Sequence, residues 1–150
     1  MNKRLIMTGF FAGLVMGMLV MLYEVFWGQG FWSPLVYISA VVFRDLQNVS
    51  SPVSFNMVPV ITGLMVHMIN SWVLTLVFVS FLKPRLKTKN SLVIGALIYA
   101  LLIFGVMWYI VIQIIDPVML NLNAYVFALS HIMWGFVLAI GLSRTIKVKS

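Results

Sequence analysis

Four long apolar runs dominate the chain, and short polar segments separate them. The runs cover about residues 5–27, 57–82, 91–115 and 122–143, and Glu24 is the one Asp, Glu, Lys or Arg within them. A transmembrane helix needs about 20 apolar residues, because the hydrocarbon core is about 30 Å thick and a helix rises about 1.5 Å per residue. The pattern therefore predicts four transmembrane helices in a single transmembrane domain, 1–150.

The polar break between the first two runs contains a further apolar stretch. Gly28 and Gly30 are expected to end the first helix, and Ser33-Pro34 is typical of a helix start. The segment 34–46 is too short to span a bilayer, so we expect it to lie in the outer interface or against the bundle. The predicted fold is an all-α, integral membrane four-helix antiparallel bundle with a short external interfacial helix between spans 1 and 2.

Composition supports this setting and excludes others. Hydrophobic residues make up 63% of the chain and charged residues 9%, whereas about a quarter of a soluble domain is charged. An ordinary soluble domain, a disordered chain and a nucleic-acid-binding domain are thereby excluded, and the expected partner is the lipid bilayer. The chain has no cysteine, which excludes disulfides and thiolate metal sites.

The basic residues indicate the orientation of the chain. With four crossings, nine of the ten fall on one side, and Arg44 alone lies on the other. The nine are Lys3, Arg4, Lys83, Arg85, Lys87, Lys89, Arg144, Lys147 and Lys149. Because cytoplasmic loops are enriched in Lys and Arg, we expect a cell (cytoplasmic or inner) membrane protein with both termini in the cytoplasm.

Two histidines lie at similar depth within spans that run in the same direction. His67 belongs to the second span and His131 to the fourth. Ionisable residues inside a membrane are costly and are expected to face the bundle interior. Two interpretations remain open: each imidazole hydrogen-bonds a neighbouring helix, or the pair forms the axial ligands of a haem b.

The first span has a stripe of small residues, Gly9, Gly13 and Gly17, at four-residue spacing. Such spacing lets helix backbones approach closely, either within the bundle or against a partner subunit.

A polar cluster is expected at the outer end of the bundle. Its predicted members are Glu24, Arg44, Gln113 and Asp116. An interfacial salt bridge from Arg44 to Glu24 or Asp116 is one interpretation, and a proton or cation site is the other.

The sequence has no catalytic triad, phosphate loop or zinc motif. We therefore expect a non-enzymatic membrane protein, an accessory or scaffold subunit that assembles with other membrane subunits or with itself. The alternatives are a haem b electron-transfer subunit, and a small transporter or channel that uses Glu24 and the histidines.

Overall fold

The computed structural model describes residues 3–143, and this part of the chain is helical with no β-strand. Four helices are long and apolar enough to cross a membrane: Leu5–Trp27, Met57–Arg85, Lys89–Ile115 and Ala124–Ser143. The predicted number of helices that are long and apolar enough to span is thereby confirmed. The basic residues Arg144, Lys147 and Lys149 lie outside the described residues.

The long helices are not all regular along their length. The α-helices are α1 (Lys3–Trp27), α2 (Ser33–Ser39), α3 (Met57–Val77), α4 (Lys89–Val106), α5 (Ile112–Ile115) and α6 (Ala124–Ser143). A π-helical turn at Phe78–Leu82 extends α3, and another at Met107–Val111 joins α4 to α5. Turns of 3-10 helix form at Arg44–Asn48, Lys83–Arg85 and Pro117–Asn121. The second and third spans thus each contain a wider turn that the apolar pattern did not predict.

Polar residues directly before two of the spans fix where those helices begin. The Asn56 side chain accepts a hydrogen bond from the Val58 N–H at 3.2 Å. Thr88 and Ser91 form a reciprocal capping box at the start of α4. Such caps satisfy backbone N–H groups that have no partner inside the helix.

Helix α1 packs against α3 along its glycine stripe. Gly9 lies beside Thr75, Gly13 beside Ser71, and Gly17 beside His67. The contacted position in α3 therefore decreases as the position in α1 increases.

Helix α6 contacts α1 and α4. Gly141 lies against Thr8 of α1, and Gly135 lies against Ala96 and Ala100 of α4. A Cβ at Gly135 would stand 2.7 Å from both the Ala100 Cβ and the Ala96 carbonyl oxygen. Small residues therefore set the spacing on both sides of α6.

The short helix α2 lies inside the folded chain rather than on its surface. Leu35, Val36 and Tyr37 are each at most 5% exposed. Gly63 of α3 provides the space, since a Cβ there would overlap the Leu35 carbonyl. The predicted segment 34–46 thus divides into a buried helix and, after residues 40–43, a separate 3-10 turn.

Helices α3 and α4 approach each other near one end. There the Tyr99 hydroxyl donates to the Leu74 carbonyl at 3.0 Å, and the rings of Tyr99 and Phe78 lie 5.3 Å apart. Farther along, side chains of the same two spans line a cavity.

Candidate functional site: a cavity between the second and third spans

The cavity has a volume of about 390 Å³ and is lined by residues from all four spans and from α2. Its lining is mainly aliphatic and aromatic. The polar lining residues are His67, Asn70, Ser71, Asp116, His131 and Trp134. Volume and lining match those of ligand sites, which measure about 300–1,000 Å³ and place a few polar groups on apolar walls.

His131 is held rigidly in this wall. It is 3% exposed, and its Nδ1–H donates to the Phe127 carbonyl at 2.7 Å, one turn earlier on α6. The rings of Phe127 and Phe104 pack edge-on against the imidazole at 4.6 and 5.9 Å. The hydrogen bond fixes the tautomer, and the two rings fix the orientation of the imidazole.

His67 is held by the glycine stripe of α1. Its Nε2–H donates to the Gly13 carbonyl at 2.9 Å. A Cβ at Gly17 would lie 3.3 Å from that same nitrogen, which is closer than ordinary van der Waals contact. The small residues of α1 therefore let the imidazole reach the backbone, so the stripe and the histidine form one structural feature.

Each neutral imidazole has a second nitrogen, which carries a lone pair and can only accept a hydrogen bond. These nitrogens are Nδ1 of His67 and Nε2 of His131, and neither has a partner within residues 3–143. Across that part of the chain, the one fully buried side-chain nitrogen or oxygen without a partner is Thr75 Oγ1. The two imidazole nitrogens are therefore not among the fully buried atoms without a partner, and both residues line the cavity.

Two other polar groups of the wall are already engaged. The Trp134 indole N–H donates to Ser71 Oγ at 2.8 Å, and the Ser71 hydroxyl donates to the Gly9 carbonyl at 2.8 Å. This chain of hydrogen bonds joins α6 to α1 through α3. It also leaves neither the indole nor the hydroxyl proton for a ligand.

The predicted outer cluster is only partly assembled. Arg44 donates to the Ile115 carbonyl at 2.6 Å, and Asp116 accepts from Gln47 Nε2 at 2.6 Å. Gln47, which the sequence analysis missed, also accepts from the Val118 N–H at 3.1 Å. Burial raises the pKa of Asp116, and the Gln47 hydrogen bond and the Arg44 charge oppose this in part. Arg44 and Asp116 therefore both lie at the end of α5, where Gln47 joins Asp116 to the Val118 N–H.

The other two predicted members lie elsewhere. Glu24 is 1% exposed and accepts from the Gln29 N–H at 2.6 Å, so it closes the turn after α1. Gln113 is exposed and donates to the Trp108 carbonyl at 3.4 Å. Burial, followed by the Glu24 charge, raises the pKa of the Tyr37 hydroxyl. Neither Glu24 nor Gln113 lines the cavity.

The two imidazoles fit a metal differently. A metal-binding histidine commonly ligates through one nitrogen while the other donates to a backbone carbonyl, and His131 has that arrangement with Nε2 available. In His67 Nε2 is the nitrogen engaged, so only Nδ1 is open. No group of three or more His, Asp or Glu side chains suited to a metal ion occurs between residues 3 and 143.

No family model matches the chain, and no curated protein or solved structure is significantly similar to it. Function is therefore argued from the site itself rather than from analogy of fold.

Proposed function

We propose that this chain is a multi-pass protein of the cell membrane, without a catalytic site, that binds an apolar ligand in the cavity between its second and third spans. The observation that carries the proposal is the cavity of about 390 Å³ in which both intramembrane histidines lie. Polar side chains are costly in a bilayer and mark binding or transport sites more often than other positions.

The ligand is proposed to enter from the bilayer rather than from water. Three apolar residues that line the cavity are also exposed at the surface: Val41 at 41%, Ile69 at 57% and Ile115 at 46%. They come from the turn after α2, from α3 and from α5, so the cavity wall reaches the surface at these positions. An acyl or isoprenoid chain reaching this opening would stay in apolar surroundings throughout.

The proposed architecture is an antiparallel four-helix bundle with both termini in the cytoplasm and α2 as a cap at the outer interface. The opposite running order of the α1 and α3 contacts supports the antiparallel arrangement. The basic loop at Lys83–Arg85 supports the orientation.

Because the chain lacks cysteine, single substitutions report the side of the membrane directly. In intact cells a membrane-impermeant maleimide should label Ser50→Cys and leave Lys87→Cys unlabelled. The reverse pattern would overturn the orientation.

Ligand binding is tested with a matched pair of substitutions. Val111 lines the cavity, and Val106 lies on the same span outside the lining with 48% exposure. Purified variants in lipid nanodiscs are incubated with photoactivatable hexadecanol, with and without excess unlabelled hexadecanol. We expect Val111→Trp to abolish the saturable labelling and Val106→Trp to retain it. Equal saturable labelling of both variants would contradict the proposal.

Haem b binding remains a second candidate because His131 has the arrangement of a metal-binding histidine. His67 would then have to ligate through Nδ1, and Arg44 already donates to a backbone carbonyl rather than to a propionate. The absorption spectrum of the purified protein tests this: a Soret band that His131→Leu removes would establish it, and its absence would exclude it.

Assembly with further subunits or with copies of the chain is a separate proposal. Only 17% of the most apolar stretch in the third span is buried within the chain, which leaves a surface for a partner subunit. Assembly through this surface is compatible with ligand binding in the cavity. Native mass measurement in detergent should detect a complex, and a stable lone monomer would argue against assembly. The transporter alternative loses one support, since Glu24 closes a turn and does not line the cavity.

A further inference from the structure

We infer that His67 and His131 select a ligand whose head group is a neutral hydrogen-bond donor, that is, a hydroxyl on an apolar tail. The inference rests on the proposed function and adds the chemistry of the head group. Both imidazoles use their N–H on backbone carbonyls, so each keeps only a lone pair for a ligand in the cavity that both residues line.

The donors of the cavity wall support this selectivity. The indole N–H of Trp134 and the hydroxyl of Ser71 are both engaged within the protein. Asn70, which is exposed beside the opening, is the remaining lining side chain with N–H groups that no residue in the described part of the chain accepts. Apart from Asn70, the cavity wall is therefore rich in acceptors and poor in donors.

A ligand that can only accept hydrogen bonds is disfavoured in such a site. An ether or ketone oxygen placed beside His131 Nε2 would bring two lone pairs together and leave both without a partner. A hydroxyl pairs with either lone pair and is satisfied. A buried polar atom without a partner costs more free energy than a paired one contributes. The difference in binding free energy between the hydroxyl and the ether should therefore exceed the contribution of a single exposed hydrogen bond.

A cationic head group is also disfavoured near the histidines, because no negative charge faces them. Asp116 is the acidic residue in the lining, and it follows the outer end of the third span. His131 is seven residues into α6, so by helical rise the two differ in depth by roughly 10 Å. Glu24 is engaged by the Gln29 N–H outside the cavity.

The test compares ligands that share a tail and differ in one head-group atom. Hexadecanol, its methyl ether and hexadecylamine compete with photoactivatable hexadecanol for the protein in nanodiscs. We expect the alcohol to compete about tenfold more strongly than the ether, as the loss of one buried hydrogen bond predicts. In the double variant His67→Leu/His131→Leu, which removes both lone pairs, this ratio should fall to about one while the ether still competes.

Two further arms identify the source of the hydroxyl. A monoacylglycerol with its dimethyl ether represents an aliphatic alcohol, and a short-chain quinol with its dimethyl ether represents an aromatic one. Stronger competition by either alcohol than by its methylated form supports the inference and assigns the head group to that class.

The outcomes separate the two levels of the proposal. Equal competition by alcohol and ether, or an unchanged ratio in the double variant, overturns the hydroxyl inference and leaves the cavity as an apolar binding site. Stronger binding of the amine than of the alcohol also overturns it. Failure of every probe to compete overturns the proposed function itself. If the double variant does not fold, His67→Leu and His131→Leu are measured singly, and at least one of them should lower the ratio; an unchanged ratio in both overturns the inference.

Discussion

The contact between α2 and α3 offers the sharpest test of the fold that builds the cavity, and it rests on Gly63. A Cβ at this position would overlap the Leu35 carbonyl oxygen and stand 2.7 Å from its carbonyl carbon. To restore an ordinary contact of 3.4 Å, the carbonyl carbon would have to move by about 0.7 Å, and the nearer carbonyl oxygen by more than that. The atoms that must move belong to a buried helix, so side-chain rotation cannot relieve the overlap.

The expected change in the free energy of unfolding is the sum of two opposing effects of Gly63→Ala. Overpacking against the backbone should cost about 3 kcal/mol, and replacing a helical glycine by alanine should return about 1 kcal/mol. The net loss of about 2 kcal/mol corresponds to a decrease in Tm of about 4–8 °C for a chain of this size. The midpoint is read from intrinsic tryptophan fluorescence during heating in detergent.

Gly105 provides the matched control on α4. A Cβ there meets no atom within 4 Å, so Gly105→Ala should raise the stability by about 1 kcal/mol, or the Tm by about 2–4 °C. The two identical substitutions should therefore shift the Tm in opposite directions. If Gly63→Ala raised the Tm as Gly105→Ala does, the docking of α2 on α3 would be wrong.

Three further substitutions test individual hydrogen bonds by the same thermal measurement. Burial raises the pKa of Asp116 above 3.8, so the folded protein holds this proton more tightly than the unfolded chain does, and the stability should fall as the pH rises above about 4. Asp116→Asn should flatten this pH dependence, and an unchanged slope would contradict the role of Asp116. Ser71→Ala removes a bridge between two helices and should cost about 2 kcal/mol, whereas exposed Ser80→Ala should leave Tm unchanged. Glu24→Gln keeps an acceptor for the Gln29 N–H and should be tolerated, whereas Glu24→Ala should cost about 1–3 kcal/mol; equal losses would refute a capping role.

The spans were predictable because bilayer thickness fixes the length of an apolar run. The third span begins with α4 at Lys89, before the predicted residue 91, because the cap at Thr88 lies in the polar loop rather than in the apolar run. The π-helical turn Met107–Val111 was not predictable, since nothing in its apolar residues distinguishes it from α-helix. Such turns depend on how neighbouring helices pack.

The histidines were predicted to face the interior at similar depth, and both line the cavity. Their partners could not be predicted, because helical periodicity gives the face of a helix but not which atoms of the next helix lie opposite. The outer cluster depended on loop geometry. Gly30 adopts φ +105°, a left-handed conformation that favours glycine, and the turn places the Gln29 N–H beside Glu24. The acid therefore acts within its own turn rather than with Arg44.

The central claim is that the cavity between the second and third spans takes a ligand from the bilayer. It is tested most directly by locating the covalent label of photoactivatable hexadecanol on the wild-type protein by mass spectrometry. We predict that the label removed by excess unlabelled hexadecanol lies on cavity residues of different spans, such as Met16, Met107 and Phe127. Label confined to residues that face away from the cavity, such as Tyr109 or Tyr125, and insensitive to competition would contradict the claim.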